Sequence, residues 1–254
     1  MKTLIILAHP SATSFNAQWA HASAEACSGE VLWSDLYAMG FDPIECAAHY
    51  GRSSDSFDPL KSQFEAAESN ALPNDVTNEI NKLREADRVI FHFPLWWFGP
   101  PAILKGWTER CLAHGEMHRS DARFDSGLCK GKEVLFCVTT GASAIESGPA
   151  GKEGDTNMHL WALAYTLRYC GFTIKQPLLL HGIHGYFEGD SEKKLEQRCK
   201  AMLAGQKQAI DGWSEIPNVR FNADTDFDEE GQLKLNSPSY TPFIRHTIAA
   251  KDLS

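Results

Sequence analysis

The amino-acid sequence predicts an α/β chain: a doubly wound parallel sheet of about five strands in the order 2-1-3-4-5, with helices on both faces. Three observations carry this. Leu4–Ala8, Val89–Phe91 and Val134–Val138 are continuous apolar runs, as central strands covered on both faces require. Segments of helical length separate the runs, which calls for right-handed crossovers. Most of the strand runs end in short polar or Gly/Pro-rich stretches, at the sheet edge where ligands bind in open α/β folds.

The elements follow in order. Leu4–Ala8 is the first strand, and the polar loop His9–Ser14 leads into an Ala-rich helix over Phe15–Cys27. Glu30–Leu36 reads as the second strand, and Gly40–Ser56 as irregular, with Pro43 and Gly51. Pro59–Ala71 has helical composition, and Pro73-Asn74-Asp75 opens a helix with Val76, Ile80 and Leu83 on one face. Arg88–Phe93 is the third strand. Pro94 ends it by removing a ladder donor, and Gly99-Pro100-Pro101 launches a helix running to Leu112. Glu133–Thr139 is the fourth strand, Thr156–Cys170 a helix, Phe172–Leu180 the fifth strand and Ser191–Trp213 a polar amphipathic helix. Residues 1–215 thus form the main domain. Residues 216–254, beyond Ile216-Pro217, form an acidic C-terminal extension, with apolar side chains such as Phe221, Tyr240 and Phe243 to dock it, while the charge of Asn222–Gly231 makes disorder the rival reading there.

Composition narrows the function. A hydrophobic content of 43% provides a sizeable core, and a net charge of -9 argues against nucleic-acid partners, which need a basic footprint. No apolar run reaches the roughly 20 residues that span a bilayer. The seven cysteines are scattered, without a C-x-x-C pair or metal-ligand spacing, so no metal site is expected and reduced thiols in the cytoplasm are.

Three loops at the carboxyl edge carry the chemistry. The first offers His9, Ser11, Thr13, Ser14 and Asn16 ahead of a helix N-terminus, a setting suited to phosphate or pyrophosphate. One hydroxyl would suffice for simple N-capping. Neither a Walker A motif nor G-x-G-x-x-G is present, which disfavours a nucleotide triphosphatase and a Rossmann dehydrogenase. The second loop, Leu95-Trp96-Trp97-Phe98, sets three aromatics in a row. They suit a planar ligand, and equally a core or an interface. The third, Thr139-Thr140-Gly141-Ala142-Ser143, could bond the polar edge of a heterocycle, or be a plain strand-end turn. A planar ring, a pyrophosphate and a polar ring edge together describe a flavin dinucleotide.

These residues resemble the NAD(P)H:quinone oxidoreductase family, DT-diaphorase-like enzymes of flavodoxin-like fold. The likeness runs from Leu4 to about Leu180. It rests on Leu7-Ala8-His9 with Thr13-Ser14-Phe15-Asn16, on Ser34-Asp35-Leu36-Tyr37, and above all on Phe93-Pro94-Leu95-x-Trp97-Phe98-Gly99-x-Pro101-Ala102-Ile103-Leu104-Lys105-Gly106-Trp107. Thr139-Thr140-Gly141, Gly154-Asp155 and Cys170-Gly171-Phe172 complete it.

The resemblance implies a homodimer with FAD, rather than FMN, in a site at the subunit interface. It implies ping-pong two-electron hydride transfer from NAD(P)H to a quinone. His9, Thr13, Ser14, Phe15, Asn16 and Gln63 would hold the adenosine diphosphate part. Pro94, Leu95, Trp96, Trp97 and Phe98 would line the ring, and Thr139, Thr140, Gly141 and Ala142 would bond its edge. Azo or nitro reduction is an alternative activity. A second alternative is an ancillary regulatory subunit of a glutathione-gated potassium efflux system, whose partner would be a membrane transporter.

Two departures stand out. The family pattern has a Tyr and, six residues on, a His at the flavin; here Ser147 and Glu153 take those catalytic places, with Lys152 expected to offset the Glu153 charge. The loop that supplies tyrosines to the substrate pocket here carries Met117 and His118, which with Trp96 become the candidate substrate contacts.

Overall fold

The computed structural model describes residues 1–246; the end of the predicted extension, residues 247–254, lies outside them. Six strands form one parallel sheet: β1 (Lys2–Leu7), β2 (Glu30–Asp35), β3 (Arg88–Pro94), β4 (Glu133–Thr139), β5 (Thr173–Ile174) and β6 (Leu178–Leu180). The order is β2-β1-β3-β4-β5, and β6 also pairs with β4. Six α-helices connect and flank them: α1 (Phe15–Ala26), α2 (Pro59–Glu68), α3 (Asn74–Glu85), α4 (Ala102–Cys111), α5 (Thr156–Tyr169) and α6 (Asp190–Asp211).

The predicted fifth strand is two short strands. Pro177 has no N–H for the ladder. The Gln176 amide leaves the sheet to donate to the Pro217 carbonyl at 2.7 Å, and Val219 donates back to Ile174 at 2.7 Å. The start of the C-terminal extension therefore lies antiparallel along β5, bridging Lys175 with Asn218, and covers an edge that would otherwise present unpaired backbone groups. Further along, Phe243 stacks on Trp161 of α5 with ring centroids 4.6 Å apart.

Two layers of core enclose the sheet. On one face Leu4, Ile6, Val89, Phe91, Phe93, Val134 and Phe136 meet α3, α4 and α5. On the other, Ile5, Leu7, Ile90, Leu135 and Cys137 meet α1 and α6. Each face carries a buried polar knot. Glu79 of α3 is fully buried and accepts from Lys82 Nζ at 2.6 Å, Ser34 Oγ at 3.0 Å and Trp107 Nε1 at 2.9 Å, which ties α3 to β2 and α4. Opposite, Trp19 Nε1 donates to Gln206 Oε1 at 2.7 Å, Gln206 Nε2 donates to Ser23 Oγ at 2.7 Å, and Ser23 pairs with His92 Nε2 at 3.0 Å. This chain joins α1, α6 and β3.

Burial pushes the His92 imidazole down to about 3 from the ordinary 6.5. Between those values the unfolded chain binds a proton that the folded chain refuses. Stability therefore falls as pH drops through that window, by at most about 1.4 kcal/mol per pH unit from this group. His92→Gln is expected to flatten the pH dependence of urea-unfolding stability between about pH 7 and about pH 5; a slope equal to the wild type contradicts a neutral, buried His92.

Candidate active site

The sheet register brings the three loops together. Leu7 pairs with His92, and Pro94 pairs with Thr139. Past the strand ends, Ala8 donates to the His92 carbonyl at 2.9 Å and Leu95 to the Thr139 carbonyl at 2.8 Å. His9, Leu95 and Thr140 therefore leave adjacent strands at one edge, over the switch point between β1 and β3.

The loop after β3 is a tight turn. Trp96 and Gly99 exchange both backbone hydrogen bonds, at 2.9 and 3.1 Å, while Trp97 (φ 50°) and Phe98 (φ 62°) occupy left-handed backbone space. Two positive-φ residues at the centre of a two-residue connection define a type I′ turn, normally the province of Asn and Gly. Two aromatics here cost backbone strain, and such strain collects at functional sites. Trp97 is 96% exposed and Phe98 51%. The amides of both lack an acceptor among the described residues.

The turn is one wall of a cavity of about 240 Å³, with Leu95, Trp97 and Phe98 on one side and Thr140, Gly141, Ala142, Ser147 and Glu153 on the other. The Thr140 hydroxyl is committed within the chain, donating to the Ala142 carbonyl at 3.0 Å and meeting His181 Nδ1 at 2.9 Å. The Gly141 and Ala142 amides, in contrast, have no acceptor among the described residues, so donor capacity toward a ligand comes from backbone rather than from that hydroxyl. Ser147 is buried on the cavity wall and its carbonyl accepts from the Thr156 amide at 3.0 Å, which anchors the loop to the first turn of α5.

The first loop is preorganised. Ser14 caps α1 by accepting from the Ala17 amide at 3.2 Å, leaving earlier first-turn amides at the helix mouth. Phe15 packs on Trp19 at 5.6 Å. Ser11 and Thr13 hydroxyls meet at 3.1 Å, and the Ser11 amide donates to His9 Nδ1 at 3.0 Å. Burial holds His9 below the usual histidine range, so it presents a neutral ring. Asn16 is buried, its Nδ2 donates to Thr139 Oγ1 at 2.9 Å, and its Oδ1 is buried with no partner.

Several sequence expectations are placed differently. Trp96 does not line the ring cavity; its indole packs on His9 at 5.9 Å, between the turn and the first loop. Within the single chain it therefore adds nothing to that cavity's wall. Met117 is 2% exposed in the core beneath Cys129, so it is no substrate contact. Lys152 pairs with Glu146 at 3.3 Å, and no ion pair joins it to Glu153 among the described residues. Gln63 and His118 lie in a second cavity, about 730 Å³, with Leu60, Trp161, Tyr165 and Tyr169. Gln63 is held there, donating to Glu45 at 2.7 Å and the Glu109 carbonyl at 3.0 Å and accepting from the His114 amide at 3.0 Å. Within one chain, neither residue meets the first loop or the aromatic turn.

One site residue escaped the sequence reading. His159 of α5 lines the ring cavity, packs on Phe98 at 5.1 Å and bonds the Glu153 carbonyl through Nε2 at 2.7 Å. Its spacing, four residues after the Asp155 cap and so on the cap's side of the helix, was the available signal.

This fold and edge define a class that comparison with known proteins narrows. Residues 1–204 match the family described as having a flavodoxin-like fold. The chain is 39% identical to NAD(P)H dehydrogenase [quinone] 1 of Cavia porcellus, over 85% of this chain and 78% of that protein. It is 36% identical to the human ribosyldihydronicotinamide dehydrogenase [quinone], over 85% of this chain and 94% of that one. A solved structure from Klebsiella pneumoniae, assigned as a quinone reductase, superposes with a TM-score of 0.81 at 27% identity, covering 92% of this chain and 94% of its own. The chain belongs to the flavodoxin-like family and, within it, to the NAD(P)H:quinone oxidoreductases.

Trp97→Gly removes one left-handed aromatic at a place where the side chain buries almost nothing. A non-glycine residue there costs roughly 1–2 kcal/mol, of which glycine's own entropy returns part. The variant is expected to gain up to about 1 kcal/mol in thermal or urea unfolding; a loss of stability contradicts a strained turn.

Proposed function

We propose that this chain is a flavin-dependent oxidoreductase that uses NAD(P)H to reduce quinones by two electrons. The observation that carries the reading is the convergence of an anion-suited helix mouth, an exposed aromatic turn and a donor-bearing loop at one sheet edge. The relatives named as quinone-reducing NAD(P)H dehydrogenases support the same activity.

The residues present fit a flavin dinucleotide. The ring would lie against Trp97 and Phe98, with its polar edge within reach of the free amides of Gly141 and Ala142. The pyrophosphate would sit at the α1 mouth beside His9, Thr13 and Ser14, where helix N-termini favour anions. The unpartnered Asn16 Oδ1 points to a donor supplied by a ligand. Trp96, between the turn and His9, would cover the path joining these halves. Bound flavin supplies the hydride chemistry. The chain's own residues orient the ring, and donor and acceptor would use the exposed side of the turn alternately, in ping-pong fashion.

A homodimer completes this reading. Gln63 and His118 line a cavity apart from the aromatic turn, and a second copy could present that cavity to the turn's exposed face. An aromatic 96% exposed in the single chain is the kind of surface that seeks such cover.

The test is loading and bleaching. Denaturing the purified protein is expected to release a flavin, and protein reconstituted with FAD is expected to show flavin absorbance, to retain FAD more tightly than FMN, and to bleach with NADH or NADPH without oxygen. A protein that takes up neither flavin overturns the reading, and bound flavin that neither nicotinamide reduces points to an electron carrier instead.

A further inference from the structure

We propose that His159, rather than Glu153, holds the proton that balances the charge created in the ring cavity by hydride transfer. The inference rests on the flavin-dependent reading above. Of the residues lining that cavity, two carry ionisable side chains, Glu153 and His159. A carboxylate adds negative charge and opposes more of it; an imidazole can answer negative charge by taking a proton.

The geometry fixes where that proton goes. Nε2 of His159 bonds the Glu153 carbonyl at 2.7 Å, and a carbonyl only accepts, so Nε2 carries the hydrogen. In the neutral ring the lone pair is then on Nδ1, and Nδ1 is the atom that binds the arriving proton. The same bond, with the Phe98 ring at 5.1 Å and Gly154 close beneath, holds the imidazole between the aromatic turn and the 140–155 loop. A side chain at Gly154 would meet Nε2 at 3.0 Å, so glycine there, with a φ of 77°, gives the ring its seat. The first turn of α5 opens on the same cavity through Thr156, and a helix N-terminus favours incoming negative charge.

The other charged groups around His159 are few. Asp155 is engaged in capping α5 on the Asn157 amide, and Lys152 is paired with Glu146. The aromatic turn and the segment Thr140–Ala142 carry no titratable side chain. His181 lies beyond Thr140, against its hydroxyl.

The step balances. A dihydronicotinamide gives up a hydride, two electrons and a proton, and departs oxidised. One negative charge stays in the cavity, and His159 Nδ1 takes one proton from solvent. A quinone then receives the hydride equivalent, and the His159 proton goes to its second oxygen. The sum is one NAD(P)H, one solvent proton and one quinone giving one oxidised nicotinamide and one hydroquinone.

The experiment is proton uptake, read with an indicator dye as flavin-loaded protein is reduced anaerobically by stoichiometric NADH near neutral pH. Wild type is expected to take up a proton for each flavin bleached. His159→Gln keeps a donor for the Glu153 carbonyl but cannot take a proton, and is expected to lose the uptake while retaining flavin; His159→Asn serves as a second variant with the same expected loss. Glu153→Gln is expected to keep it. Uptake unchanged in both His159 variants, or lost in Glu153→Gln instead, overturns the assignment while leaving the flavin reading intact. Failure of the wild type to load flavin, seen in its absorbance beforehand, overturns both.

Discussion

The register of β1, β3 and β4 is the constraint on which the rest of the molecule depends. A parallel sheet sends every strand toward the same edge, but register decides how closely the exits align. Here Leu7 sits beside His92 and Pro94 beside Thr139, so three loops emerge within one crevice. A shift by one residue would exchange the faces of each strand, driving Ile5 and Leu7 into the layer of Leu4 and Ile6. The buried apolar faces thus lock the site's geometry, and the two polar knots lock the helices that carry its walls. Trp107 in the Glu79 knot lies on α4, which follows the aromatic turn directly.

That rigid frame is what allows a strained turn to persist. Left-handed backbone at both Trp97 and Phe98 is held by the Trp96–Gly99 hydrogen-bond pair and by the Leu95 amide on Thr139. The result is a pair of large rings displayed to solvent with little freedom to collapse. Preorganised exposure of this kind lowers the ordering cost of receiving a flat ligand. On the opposite wall the donors are backbone amides, which cannot rotate away as hydroxyls can.

The sheet was legible because periodicity and loop length report it directly: continuous apolar runs in β1, β3 and β4 stand where the strands stand. The fifth strand was not, because Phe172–Leu180 reads as one run while Pro177 and the pull of Pro217 divide it, a long-range effect. The aromatic turn was placed from sequence, but its left-handed backbone was not, since Trp and Phe carry no such signal. Met117 was misplaced because an isolated methionine in a loop gives no sign of burial. Gln63 and His118 were expected at the cofactor and the substrate; that they share a cavity apart from the aromatic turn is tertiary information. His159 carries no loop signal because it lies on α5, although the start of that helix puts it on the site's side.

The central claim is that one crevice at the β1/β3 switch point takes a flavin across all three loops. The most direct measurement is a crystal structure of the chain grown with FAD. The account predicts the ring on the Trp97–Phe98 turn, its polar edge at the Gly141 and Ala142 amides, and its pyrophosphate at the mouth of α1 by His9. Flavin lodged instead within a single chain's cavity of Gln63, His118 and Tyr165, with the aromatic turn left bare, would contradict it.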